Sequence, residues 1–320
     1  RSTMECLFSL SPHYPFLSSR LIIGIPQLIL SISSLIINLL LLITLLHSSP
    51  LHFSFQLHVV SLIISSLGFV FVALFVFTPI ALFNMKIDDP LLIILSTPDS
   101  LFYQAMMFVT TIIAMERCSL FLAPNFHQFL TGHFQYIFVS LPWITAIFIV
   151  THSTYTGCYK RVDPFALRFT YACSNCGFYS DLLFYASFAF PLIIAISYGI
   201  LFIFLYFQNE KSQEVHITVL SNRQQLSFAI QFSIIAILQL FGSSFFYILP
   251  RFFGDSDIVN SILTSSSTLN SMANPICMFI FQHSVRAAFL ELPFINRLFP
   301  KRSLPFESRT TTRFRNSIVP

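Results

Sequence analysis

Glu116-Arg117 sets an acid beside a permanently charged guanidinium, and Asp99 lies 18 residues before that arginine. In a helix of about 3.6 residues per turn that spacing is five turns, so Asp99 and Arg117 share a face. A guanidinium offers five donors in a rigid fork, suited to a carboxylate or to backbone carbonyls. The plain alternative is an anchor at lipid headgroups. Asp99, with Tyr103 one turn on, is the acid at the far end of that face. Thr97-Pro98-Asp99-Ser100 reads first as the start of a helix, where an acid is favoured near the positive end. Cys158, Cys173 and Cys176 crowd one stretch of chain, and Cys173-x2-Cys176 has the outline of half a zinc site without a second ligand pair. His47-x4-His52 outlines one box of a membrane metalloenzyme, yet no His-x-x-His-His occurs and the other histidines scatter. No metal, no cofactor and no catalysis are expected.

The elements that must position these groups are apolar. From Leu21 to Met85 the chain has no Asp, Glu, Lys or Arg. A hydrocarbon core about 30 Å thick takes roughly 20 apolar residues in helix, so this stretch fits two crossings. Charged residues are 9% and apolar residues 55%, against about 25% charged in soluble domains. The fold class expected is an all-α membrane protein, a seven-helix bundle spanning 21–46, 53–83, 98–122, 134–153, 182–207, 226–249 and 257–282. Helix is the default because a lipid-exposed backbone must satisfy its own hydrogen bonds, and these runs are too long for barrel strands. Asp88-Asp89-Pro90 reads as a turn; the third helix either begins at Pro90 and runs through Pro98 or, the favoured reading, follows a loop over Leu91–Ser96 with Pro98 in its first turn. Residues 1–20 are short and polar and are not expected to form a separate cleavable signal.

Almost no ionisable group lies inside these spans, although such groups mark ion and proton pathways. That argues against a coupled transporter or pump, and no internal repeat supports one. A channel or transporter with seven spans remains the competing class. The cations do not cluster into a patch for nucleic acid; of the 17 Lys and Arg, the tail holds Arg297, Lys301, Arg302, Arg309, Arg313 and Arg315, and the others scatter.

Several motifs fall in order on these spans. Glu116-Arg117-Cys118 is followed by Pro124, seven residues after the arginine, and the single tryptophan, Trp143, comes 26 residues after it. Asn270-Ser271-Met272-Ala273-Asn274-Pro275 lies in the seventh span, Asn38 in the first and Pro191 in the fifth. Together they resemble the rhodopsin-like G-protein-coupled receptors. The loop from Cys158 through Asp163-Pro164 to Cys173, Cys176 and Asp181 looks like the nematode serpentine chemoreceptors of class x. The Asn-Pro of the last helix looks closer to class v. The resemblance covers Leu21 to Leu290.

The resemblance implies a small-molecule ligand in an outer pocket between helices three, five, six and seven, near Asp99 and Tyr103, where amine receptors of the superfamily pair an Asp at this spacing with the ligand's ammonium. It also implies a heterotrimeric G protein at the inner face around Glu116, Arg117, Asn274 and Pro275. It implies a core polar network of Asn38, Ser66, Asn270, Ser271 and Asn274, with Trp143 and Pro191 as packing markers. An amphipathic eighth helix over 283–293 would lie on membrane lipid, with Phe281, Val285, Phe289 and Leu292 on one face until Pro293 stops it. Departures are clear: Met278 replaces the family's Tyr, the sixth span lacks the aromatic-x-Pro switch, and Ser66 replaces the Asp of a sodium site. Leu92 replaces the third-helix cysteine, so the expected disulfide lies within the loop, Cys158 with Cys173 or Cys176.

The family places residues 1–20 outside and 294–320 as a basic cytoplasmic tail. Arg117, Lys211, Arg223, Arg286, Arg297, Lys301, Arg302, Arg309, Arg313 and Arg315 then face inward. Arg1, Arg20, Lys86, Lys160, Arg161, Arg168 and Arg251 face outward. The positive-inside rule is met only through the tail. Cys118 and Cys277 would be packing thiols on the reducing side, and Cys6 would join the loop cysteines outside.

Overall fold

The computed structural model describes residues 3–10, 15–51, 53–132, 134–211, 216–254 and 256–298. A short α1 (Thr3–Leu10) precedes α2 (Leu17–Ser48). α3 (Phe53–Val72) passes through one π turn, Ala73–Phe77, into α4 (Thr78–Phe83). Then come α5 (Asp89–Leu122), α6 (Pro124–Thr131) and α7 (Gln135–Tyr155). A hairpin of β1 (Arg161–Asp163) and β2 (Arg168–Thr170) leads to α8 (Phe178–Lys211), α9 (His216–Phe253) and α10 (Asp257–Phe281). α11 (His283–Leu290) and α12 (Pro293–Leu298) close the described chain.

Helix ends follow local chemistry. α2 stops where Ser49 turns left-handed before Pro50, and Ser256 caps α10 by accepting the Val259 N–H at 3.3 Å. Pro79 has no N–H and crowds the carbonyl four residues back. The chain widens just before it: both the N–H and the hydroxyl of Thr78 reach the Ala73 carbonyl, five residues away.

The third long helix starts earlier than the sequence suggested. It begins at Asp89 with Pro90 in its first turn, and Pro98 sits inside it. Beside that proline the Thr97 hydroxyl donates to the Ile93 carbonyl at 2.7 Å. A proline costs one backbone bond there but does not end the helix. The helices of the fifth and sixth expected spans also run longer, to Lys211 and from His216. Near the C-terminus, α11 ends at Leu290 and Pro293 opens α12, so this proline starts a helix as well as interrupting one.

Five of the long helices are apolar and long enough to cross a membrane: Leu17–Ser48, Phe53–Phe83, Asp89–Leu120, Gln135–Tyr155 and Phe178–Phe204. Within α9, Ser233–Leu249 is a shorter apolar stretch. α10 is more polar, and its amides and hydroxyls Asn260, Thr268, Asn270, Ser271 and Asn274 are buried. α2 packs on α3 and α10, α10 on α9, α9 on α8 and α8 on α5. α5 also packs on α3, α7 and β1, so it is the helix with neighbours on most sides. The surface carries large apolar side chains such as Ile29, Phe71, Phe148 and Ile203. This is a multi-pass membrane protein.

Candidate functional site

The hairpin end is cross-linked. Cys158 bonds Cys176, and Cys173 bonds Cys6, which ties α1 to the loop. Of the two pairings within the loop, the structure has Cys158 with Cys176; Cys173 finds a partner that the loop-only expectation omitted. The half zinc site therefore has no free thiols. Two ion pairs add to this. Lys160 donates to Asp99 of α5, whose side chain is fully buried. Arg161, also buried, donates to Asp89 at 2.6 Å.

The hairpin turn is internally bonded. Asp163 accepts from the backbone N–H groups of Phe165 at 2.9 Å and Ala166 at 3.2 Å. Burial nevertheless pushes its carboxyl up, and these two bonds only partly offset that. Asn260 of α10 donates to the Ala166 carbonyl at 2.9 Å, fastening the turn to the helices. Arg20 of α2 caps α4 in the same region. Its guanidinium reaches the carbonyls of Ile80 and Ala81 and the side chain of Asn84, a cation on a negative helix end.

Beneath the hairpin lies a cavity of about 450 Å³ among α5, α7, α8 and Tyr247 of α9. Its walls are mostly apolar, Met107, Phe108, Ile149, Phe190 and Ile193 among them. Lys160, Ser100 and Tyr171 contribute polar groups. The Ser100 and Tyr171 hydroxyls are 3.4 Å apart. Burial pushes the Tyr171 phenol up to about 12. Tyr103 also lines the cavity and shares a hydrogen bond of 3.2 Å with Ser243. A second hollow of about 290 Å³ beside β2 shares Tyr171, Leu183 and Tyr247 as walls. The large cavity thus lies toward helices three, four, five and six, whereas the resemblance put a pocket against the seventh. Asp99 does not line it. Asp99 borders a space of about 30 Å³ facing α2 and α10, and Lys160 borders both.

At the opposite end, Glu116 and Arg117 both reach α3. Glu116 is buried with its Oε2 3.8 Å from His58 Nε2. The Arg117 guanidinium lies 3.6 Å from the centre of the Phe55 ring, a cation on an aromatic face. Adjacent residues on a helix point about 100° apart, which explains how neighbours 116 and 117 meet different partners. The Cys118 thiol donates to the Ser197 carbonyl of α8 at 3.3 Å.

The polar seam between α2 and α10 joins only some of the expected network. The Asn38 amide donates to the Ser34 carbonyl at 2.9 Å and the Ser271 carbonyl at 3.3 Å. Gln27 donates to Thr268 at 2.7 Å. Ser66 turns instead to the Met106 sulfur of α5 at 3.7 Å. Asn270 and Asn274 are buried on α10 beside Pro275. The Trp143 indole donates to Ser61 at 2.8 Å, binding α7 to α3. Pro191 sits inside α8 on its buried side.

Sequence reasoning missed Lys160, Arg161, Tyr171, Tyr247 and His58. The signal for the first two was present: Lys160-Arg161 comes two residues after Cys158, and Asp89 and Asp99 were the acids available to meet them.

No curated protein matches this chain significantly. A family profile does, over residues 28–282, and its description is serpentine-type seven-transmembrane G-protein-coupled chemoreceptor Srx. The matched stretch runs from within α2 to the end of α10, and so takes in the cross-linked loop and the cavity beneath it. The match is to class x, as the order Cys158, Asp163-Pro164, Cys173 implied. The chain belongs to the Srx family of serpentine seven-transmembrane chemoreceptors.

Proposed function

We propose that this protein is a chemosensory receptor that takes a small molecule in the cavity beneath the hairpin and activates a heterotrimeric G protein at the opposite end. The observation that carries the reading is that cavity: about 450 Å³, within the usual size of small-molecule sites. It opens among helices the family profile covers. All seven long helices cross the membrane in this reading, the hairpin end faces outward, and the protein resides in the plasma membrane of chemosensory cilia. Residues 1–20 lie outside, 21–282 form the receptor domain and 283–293 rest on the membrane surface. The basic segment 294–320, whose residues beyond Leu298 lie outside the described ones, is cytoplasmic. Ligand moves the bundle only by its preference for one state over another. Arg117, resting on Phe55, is the group that meets carbonyls of the G protein once the bundle opens, with Glu116, Asn274 and Pro275 beside that end.

The test is expression with a reporter G protein and a screen of volatile and water-soluble chemicals. A ligand-dependent signal abolished by bulky residues at Ser187 or Ala186, both in the cavity wall, supports the reading. Antibody staining of a tag after Pro320 on intact cells would reverse the topology and sink it.

A further inference from the structure

The wall of the cavity sorts chemistry by charge. From α5, Ser100, Gln104, Met107 and Phe108 line it, a spacing that keeps them on one helical face. Polarity falls along that face with distance from the hairpin: hydroxyl, amide, thioether, phenyl. At the polar end Lys160 enters from the loop. Its ammonium is held by Asp99 and lies 5.0 Å from the Phe169 ring and 5.3 Å from the Phe246 ring. Since Asp99 borders the small space behind and is not among the residues lining the large cavity, a molecule there meets the cation and not the acid.

The pair cancels its own charge. An incoming amine would meet an ammonium, a like charge. A carboxylate would surrender its hydration to reach a cation already neutralised, with Asp99 close behind it. An uncharged acceptor avoids both penalties: an ammonium has three donors, and Tyr171 and Ser100 stand beside it. On the reading of this cavity as the ligand site, we infer that it takes an uncharged, mainly apolar molecule whose oxygen acceptor meets Lys160, and that the loop lysine occupies the place an amine ligand would need.

Three probes with one chain length test this: 2-undecanone, undecylamine and undecanoate, titrated against the purified full-length receptor in lipid nanodiscs with thermal stabilisation as readout. The wild type should prefer the ketone. Asp99→Asn leaves Lys160 unneutralised and should tighten undecanoate relative to the ketone. Lys160→Met leaves the acid unneutralised and should tighten undecylamine. Each shift should reach about tenfold in apparent Kd, the scale of one unit charge at close range in a partly screened site. Asp99→Asn is nearly isosteric and decides the matter alone if Lys160→Met fails to fold. A wild type that prefers the amine, or an Asp99→Asn variant with unchanged preference, overturns the inference and leaves the cavity as a ligand site. No response to any probe in wild type and variants alike removes the cavity as the site, and the inference with it.

Discussion

The two ends of the helix bundle hold their charges in opposite ways. At the hairpin end each acid of α5 has a basic partner supplied from one loop, Lys160 for Asp99 and Arg161 for Asp89, and two disulfides fix that loop in place. At the other end Glu116 faces a histidine and Arg117 rests on a phenyl ring, both from α3. Ion pairs buried beneath disulfides resist rearrangement, because moving one partner strands the other in a low dielectric. A guanidinium on an aromatic face adds about 0.5–2 kcal/mol, less than the cost of stranding one partner of a buried ion pair. The difference teaches which end is locked by covalent bonds between distant segments, and which is held, among the described residues, by contacts between helices.

The comparison breaks most visibly if the deepest pair is removed. Lys160→Met should lower the stability of the purified receptor by about 3–5 kcal/mol, because it strands a fully buried carboxylate. The double variant Asp99→Leu with Lys160→Met should recover most of that, as read from thermal unfolding. Equal losses in single and double variants would show that the pair is not coupled. Next in size is the loop disulfide. Cys158→Ser opens a closure of 18 residues, worth about 3 kcal/mol in the chain-entropy model. Mass mapping of the wild type should find Cys158 joined to Cys176 and Cys6 to Cys173, with Cys118 and Cys277 as free thiols. A different pairing would redraw this end of the molecule.

At the other end the expected effect is on signalling. Arg117→Lys keeps a cation but loses the planar fork, so it should reach the surface normally and activate G protein about tenfold less, the scale of one charge-assisted hydrogen bond. Undiminished activation would make Arg117 an anchor only. The smallest effect is titrimetric. The Tyr171 phenol has its folded-state value raised to about 12 by burial, above the roughly 10 of an exposed tyrosine. Its contribution to stability is therefore complete below pH 10 and is lost as pH rises from there through 12. Ultraviolet titration of the wild type against Tyr171→Phe should show one phenolate appearing near 12.

The parts of this fold that were legible in the sequence rest on local rules. Apolar length located the long helices, five of which are long and apolar enough to cross a membrane. The start of α5 was misplaced because Pro98 reads as a first-turn residue, while the helix in fact runs through it with Thr97 supplying a bond alongside. The site was less legible because its groups come from distant segments. Asp99 could be singled out by its phase with Arg117, but its partner lies 61 residues on, in a loop. No periodicity reports that. Cys6 is farther still from Cys173, and the three loop cysteines offered each other as nearer partners.

The bond from Cys6 to Cys173 also says something about time. Its two cysteines are 167 residues apart, a gap that takes roughly 10–30 seconds to synthesise at about 5–20 residues per second. Between them lie α2, the α3–α4 helix, α5 and α7. Throughout that interval Cys6 waits without its partner. The two thiols can meet only after four long helices have been laid down, and with both on one side of the membrane. Closure of this bond thus reports that the first half of the receptor has been built in the right order. A chain stalled or inverted midway would leave Cys6 a reactive thiol, open to retention and repair.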